Sequence, residues 1–278
     1  EDPELVGKLG AAFVRGCQDG GAIATPKHFP GHGDTEEDSH MGLPVLNFDL
    51  ARLESVELVP YKAAIAAGAK SIMSAHIALP KLDPSRRPAT LSKPILTNLL
   101  REKLKFDGII VTDGLTMQGI TDSYGVTDAS LLAVQAGADA LLVPPDIEAA
   151  YKHLLDAVKK GKLSEARIDS SVRRILSAKA WLDLHKSRYV DISKVMEKVG
   201  SPASELISKR IACDAITLLE NNDRTIPISR DKNLRVAVVI LSDTPNRDYG
   251  RDFISLLREK YSSVTESSIH KSTNSDGI

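Results

Sequence analysis

Two short stretches carry the side chains best suited to chemistry. The first, KHFPGHGDTEEDSH from Lys27 to His40, brings together three histidines, four acids and a lysine. Its ligand types suit a metal site built from His28, His32, Asp34, Asp38 and His40, but the spacing matches no zinc pattern and no H-E-x-x-H helix is present. A phosphate cradle would need lysine after its glycines, whereas Lys27 precedes Gly31 and Gly33. A solvated surface loop is the plainest alternative. The fourth reading, acid–base catalysis, is the one adopted. In extended chain Asp38 and His40, two apart, share a side. The carboxylate can then orient the imidazole and raise its pKa above about 6.5, the range of a useful proton donor. Glu36 and Glu37 are alternative donors, although adjacent like charges on a loop are usually only hydrated.

No nucleophile-elbow serine accompanies this pair, so it must serve another nucleophile. Asp113, in GIIVTDGLTM, follows an apolar run and precedes a glycine. A carboxylate there can attack an anomeric carbon and form a glycosyl–enzyme intermediate. Capping of a following helix is the competing role.

The surrounding pattern supplies elements that could position these groups. Pro3 opens a helix with Leu5, Val6, Leu9, Phe13 and Val14 at helical spacing, closing near Gly20-Gly21. A short apolar AIAT run leads into the Lys27 stretch. Helix-then-strand pairs follow: PYKAAIAAGAK with SIMSAH, PILTNLLREKLKFDG with IIVTD, and ASLLAVQAGAD with ALLVPP. Such units imply parallel strands with helical crossovers. The echo of AIAAGAKSIM in AVQAGADALL fits a barrel of like repeats. Lys27 and His28, His76 and Asp113 each fall where an apolar run ends, the edge on which (β/α) barrels place their chemistry.

RIDSSVRRILSAKAWL is an amphipathic helix closing this region, 1–183, and 184–203 reads as a polar linker. From 204 to 278 come the helix ELISKRIACDA, the strands ITLLEN and RVAVVILSD, the helix DFISLLREKY and a polar tail, SSIHKSTNSDGI. The fold class expected from the pattern is therefore α/β: part of a (β/α) barrel followed by the start of a second α/β domain. Four parallel strands do not close an eight-stranded barrel, so the chain is read as part of a longer protein, cut at both ends.

Composition narrows the classes. The net charge is -1 over 278 residues, with 26% charged and 42% hydrophobic. That is ordinary globular composition, and no basic cluster argues for nucleic acid. No apolar run reaches the roughly 20 residues of a membrane helix. Cys17 and Cys213 fit neither a disulfide framework nor a metal spacing. Neither cofactor nor metal is expected. A cytoplasmic location is the expectation, with export left open because the chain begins at Glu1 inside a helical pattern.

The stretches EDPELVGKLGAAFVRG, KHFPGHGDTEEDSH, RPATLS with ILTNLLREKLKFDGIIVTDGLTM, and ITLLENNDRTIPI resemble glycoside hydrolase family 3, and within it the bacterial β-N-acetylglucosaminidases. The resemblance implies a (β/α)8 barrel followed by an α/β sandwich domain, of which this chain would carry the C-terminal half of the barrel and the start of the sandwich domain. It implies Asp113 as nucleophile, His40 as general acid/base with Asp38 as its partner, and Lys27 and His28 binding sugar hydroxyls. His32 and His76 complete the candidate substrate-binding set, with loop orientation the alternative for His32 and a core role for His76. The implied substrate is terminal β-linked N-acetylglucosamine, above all in muropeptides of peptidoglycan turnover, cleaved with retention. Two alternatives stay open. A neutral imidazole would not repel anionic phosphate, so phosphorolysis is compatible, and a non-catalytic sugar-binding fragment is the second.

Overall fold

The computed structural model describes residues 2–35, 42–222, 224–243 and 248–270. The chain divides into two compact units, Glu1–Val190 and Asp191–Ile278, and the division falls within the polar stretch 184–203.

The first unit is built on a parallel sheet of β1 (Ser71–Met73), β2 (Ile109–Gly114) and β3 (Ala140–Leu142), in chain order. A fourth extended segment lies beside β1. Met73 N donates to Pro26 O, Phe29 N to Met73 O, and Ala75 N to Phe29 O. Four parallel segments in sequence order, with helices between them, match the repeat pattern of the sequence. The wall is apolar: Phe29, Ile72, Ile77 and Ile110 are fully buried.

Local chemistry explains the helices. Helix α1 (Pro3–Asp19) has Pro3 in its first turn, and Asp2 accepts from Glu4 N and Leu5 N as its cap. Short α2 (Leu50–Ser55) is capped by Asp49, and α3 (Leu58–Ala66) follows it. A π-wound helix, Pro94–Lys103, precedes β2. Beyond β2 come α4 (Gln118–Thr121) and α5 (Val126–Ala136). After β3 come α6 (Ile147–Lys159), with Asp146 as cap, and α7 (Glu165–Trp181), with Ser164 as cap. The internal echo has a backbone cause. Gly68 and Gly137 both lie just past a helix end, with φ of 86° and 127°, where a side chain would strain the turn into the next strand.

Three points add to or correct the sequence reading in this unit and the next. The α1 stripe does not face the core: Leu5, Val6, Leu9 and Phe13 are 47–73% exposed, while Gly7, Ala11 and Val14 are buried. Small residues let α1 approach α3 closely, since a Cβ on Gly7 would stand 3.3 Å from Ala63 Cβ. Helix α6 is an element the sequence reading leaves out.

The second unit contains α8 (Val195–Lys198), α9 (Pro202–Ala215), α10 (Arg251–Lys260) and a two-stranded parallel sheet, β4 (Arg235–Ser242) with β5 (Ser263–His270). Strand β4, helix α10 and strand β5 form one βαβ unit, with Ile254 of α10 buried. The third point concerns strands. ITLLEN forms none, and Ile216 and Leu219 are 81% and 91% exposed, because no described strand lies beside it to complete its hydrogen bonds. Conversely, SVTESSIH, part of which reads as polar tail, is paired along its whole length with β4.

Candidate active site

The candidate groups gather at the carboxyl end of the first unit's sheet. Asp113 is the penultimate residue of β2, and its side chain keeps 15% of its exposure. Its Oδ1 accepts from Gly114 N at 2.8 Å. Its Oδ2 lies 3.4 Å from Nε2 of His28, whose side chain is 29% exposed. Capping is not what this carboxylate does: the next helix, α4, starts at Gln118 with Met117 at its cap position.

Lys27 and His28 stand at the end of the segment paired with β1, and the Lys27–His28 and Phe29–Pro30 peptide bonds are both cis. His28 turns towards Asp113 and meets His32 edge-on, ring centroids 5.8 Å apart. His32 Nδ1 lies 3.1 Å from Thr35 Oγ1. Lys27 is exposed and opens instead onto a cavity of about 740 Å³ whose lining includes Phe13 and Val14 of α1 and Tyr61 and Ala64 of α3. His32 and Asp34 share that cavity, but Asp113 does not. The cavity is mostly apolar in its lining and stands aside from the carboxylate.

Asp38 and His40, with Glu36 and Glu37, lie outside the described residues. The chain on either side of 36–41 is anchored. On one side Arg52 Nη2 reaches Asp34 Oδ2 at 3.2 Å and Glu57 Oε1 at 2.9 Å, with its guanidinium 4.6 Å above the Phe48 ring. On the other, Leu46 N donates to Ala78 O and Ala78 N to Pro44 O. The sequence reading missed Arg52, whose partner Glu57 is only five positions on.

His76 is placed differently from a sugar-contacting residue. It is fully buried, its Nε2 lies 3.0 Å from Gly114 O, and its Nδ1 lies 2.9 Å from Thr90 Oγ1. With both ring nitrogens engaged and no exposed surface, its contact is with the backbone beside Asp113. Burial is the main influence on this imidazole and pulls its pKa below the ordinary histidine value; the Gly114 carbonyl and Asp113 act in the opposite direction. Thr90 and Ser74, the rest of this buried group, were also missed. The signal available was Ser74 and His76 two apart on one strand face. Among the described residues, no group of three or more His, Cys, Asp or Glu side chains is arranged to hold a metal ion. No described helix is long and apolar enough to cross a membrane.

An α/β unit with titratable groups at the carboxyl edge of parallel strands defines the class, and comparison supplies the family. Residues 1–178 match the model of the glycosyl hydrolase family 3 N-terminal domain, and the chain belongs to that family. It is 35% identical over 263 residues to beta-hexosaminidase A of Pseudoalteromonas piscicida, covering 87% of this chain and 43% of that protein. The solved family 3 β-N-acetylglucosaminidase of Paenibacillus sp. str. FPU-7 superposes with a TM-score of 0.83 at 35% identity, covering 99% of this chain and 53% of that one. The β-glucoside phosphorylase BglX superposes with a TM-score of 0.87 at 29% identity, over 99% of this chain and 51% of that one. The chain thus spans about half the length of the relatives it matches.

Proposed function

We propose that this chain is part of a retaining exo-β-N-acetylglucosaminidase, contributing the C-terminal half of a (β/α)8 barrel and the start of an α/β sandwich domain. The observation that carries the reading is Asp113: a carboxylate at a strand's carboxyl end, steadied through Oδ1 by its neighbour's amide, with Oδ2 towards His28 and part of its surface open. In the proposed reaction Asp113 attacks the anomeric carbon as the bond to the leaving group breaks. His40 gives its proton to the departing oxygen, and the sugar is left bonded to the carboxylate. Neutral His40 then takes a proton from water as the water attacks the same carbon. Asp113 is released and the configuration retained. Asp38 holds the imidazole, and Lys27 and His28 bind sugar hydroxyls. The relatives described as hexosaminidases support β-linked N-acetylglucosamine as substrate, with muropeptides the natural source.

The test is release of p-nitrophenol from its β-N-acetylglucosaminide by the full-length protein, lost on Asp113→Ala. Undiminished turnover in that variant removes the nucleophile. A second reading, phosphorolysis, is favoured by the phosphorylase among the structural neighbours, and it fits the proposed imidazole acid/base, which once deprotonated would not repel an anionic phosphate. Formation of N-acetylglucosamine 1-phosphate, in place of the free sugar, in phosphate buffer would select it.

A further inference from the structure

We propose that His76 is a positioning residue for Asp113, its imidazole standing in for a missing rung of the sheet at the point where β2 delivers the carboxylate. The proposal rests on Asp113 as nucleophile and adds what aims it.

The backbone ladder explains why a side chain is needed. On the β1 side the register runs Ser71↔Ile109 to Met73↔Val111, and Ser74 N donates to Val111 O at 2.9 Å. The next contact is the His76 side chain on Gly114 O. On the β3 side the register passes from Val111↔Ala140 to Gly114↔Leu142, so three steps of β2 oppose two of β3. That is a bulge, and Asp113 lies within it; bulges beside active sites re-aim a side chain. A side chain fills this flank too, since Leu142 N donates to Thr112 Oγ1 at 2.8 Å. Two buried polar side chains, Thr112 and His76, thus replace ladder bonds on opposite flanks of the residue that must be held at an angle.

Proton bookkeeping fixes the tautomer. Gly114 O only accepts, so Nε2 carries the hydrogen. In the neutral ring Nδ1 then accepts from the Thr90 hydroxyl, which accepts in turn from Ser74 Oγ at 2.8 Å. The relay Ser74, Thr90, His76, Gly114 runs through the neutral ring that burial favours. A cationic ring would keep the same contacts, with Nδ1–H donating to Thr90 Oγ1 and the Thr90 hydroxyl turned round to Ala75 O, 3.0 Å away. Gly114 N–H is the donor to Asp113 Oδ1, so the relay ends on the residue whose amide holds the carboxylate.

The experiment compares His76→Leu, His76→Gln, Thr90→Val and Asp113→Asn in the full-length protein, reading kcat and KM on p-nitrophenyl β-N-acetylglucosaminide together with thermal melting. Gln can place an N–H near the position of Nε2. His76→Leu is expected to lower kcat by about 100-fold, the scale of a misplaced reacting group, with KM little changed. His76→Gln should restore most of that loss. A folded His76→Leu variant with wild-type kcat, or a loss that Gln leaves unrepaired, overturns the proposal. If His76→Leu does not fold, Thr90→Val decides: lower kcat at unchanged KM supports the relay, and wild-type kcat overturns it. Asp113→Asn with full turnover would sink the nucleophile itself, a result separate from an inert His76.

Discussion

Asp113 and Asp139 sit at opposite ends of the same small sheet, one closing β2 and one preceding β3, and both are largely withdrawn from water. The Asp139 side chain is fully buried and saturated. It accepts from Ile110 N at 3.0 Å, Ser171 Oγ at 2.6 Å, Arg167 Nη1 at 3.4 Å and Arg101 Nη2, with Arg174 Nη1 at 3.5 Å. Burial pulls the Arg101 guanidinium down to about 10, against the opposing pull of Asp139, so it stays charged at neutral pH. Asp113, by contrast, has one amide on Oδ1 and one imidazole at 3.4 Å from Oδ2 among the described residues. A carboxylate offers about four acceptor positions. Filled, as at Asp139, they tie α7 and the π-wound helix to the sheet; left open at the other end, they remain available to an electrophile.

The sharpest break would come from neutralising each acid. Asp113→Asn is expected to reduce turnover roughly ten-thousand-fold or more while leaving the melting temperature almost unmoved. Asp139→Ala should act the other way, costing about 3–5 kcal/mol of stability by leaving three guanidinium groups short of their partner. Denaturant unfolding would measure it. An Asp139→Ala protein as stable as wild type would show that the bottom cluster is not a structural tie.

A smaller effect follows from His76, held below its ordinary pKa of 6.5, chiefly by burial. Below that value the unfolded chain binds a proton that the folded chain refuses, so stability falls with falling pH until the folded group also titrates. Melting curves between about pH 7.5 and pH 5 should therefore fall less steeply for His76→Gln than for wild type. Equal slopes would mean that the buried ring takes up its proton as readily as in the unfolded chain, so that burial leaves its pKa unshifted. The smallest effect is expected at Gly114→Ala: the nearest atoms to the new Cβ would be Met117 and Thr116 side-chain atoms at an ordinary 3.7–3.8 Å, so stability should change by less than about 0.5 kcal/mol. Gly114 matters through its carbonyl and amide, which alanine keeps.

Much of the first unit was legible because helix and strand periodicities alternate with glycine stops, as Gly68 and Gly137 illustrate. What periodicity cannot give is which face finds a partner. Leu9 and Phe13 form the obvious stripe of α1, yet Gly7 and Ala11 make its contact, since close approach is set by small residues. ITLL carries strand-forming residues, but a strand exists only where a neighbour takes its hydrogen bonds. SVTESSIH pairs with β4 despite its polar run, because ladder bonds depend on the backbone rather than on hydropathy. In the site, Asp113 and His28 could be picked out by residue type and by their place at the ends of apolar runs. The relay through Thr90 could not, because it joins residues 14 and 38 positions apart through side chains that meet only when the sheet forms.

Trapping the covalent intermediate addresses the central claim most directly. The full-length protein, treated with a slowly released fluorinated N-acetylglucosaminyl donor and digested, should yield one sugar-bearing peptide spanning GIIVTDGLTM, with the adduct on Asp113. A stable adduct on any other carboxylate, in protein that is inactivated by the same reagent, would contradict the account.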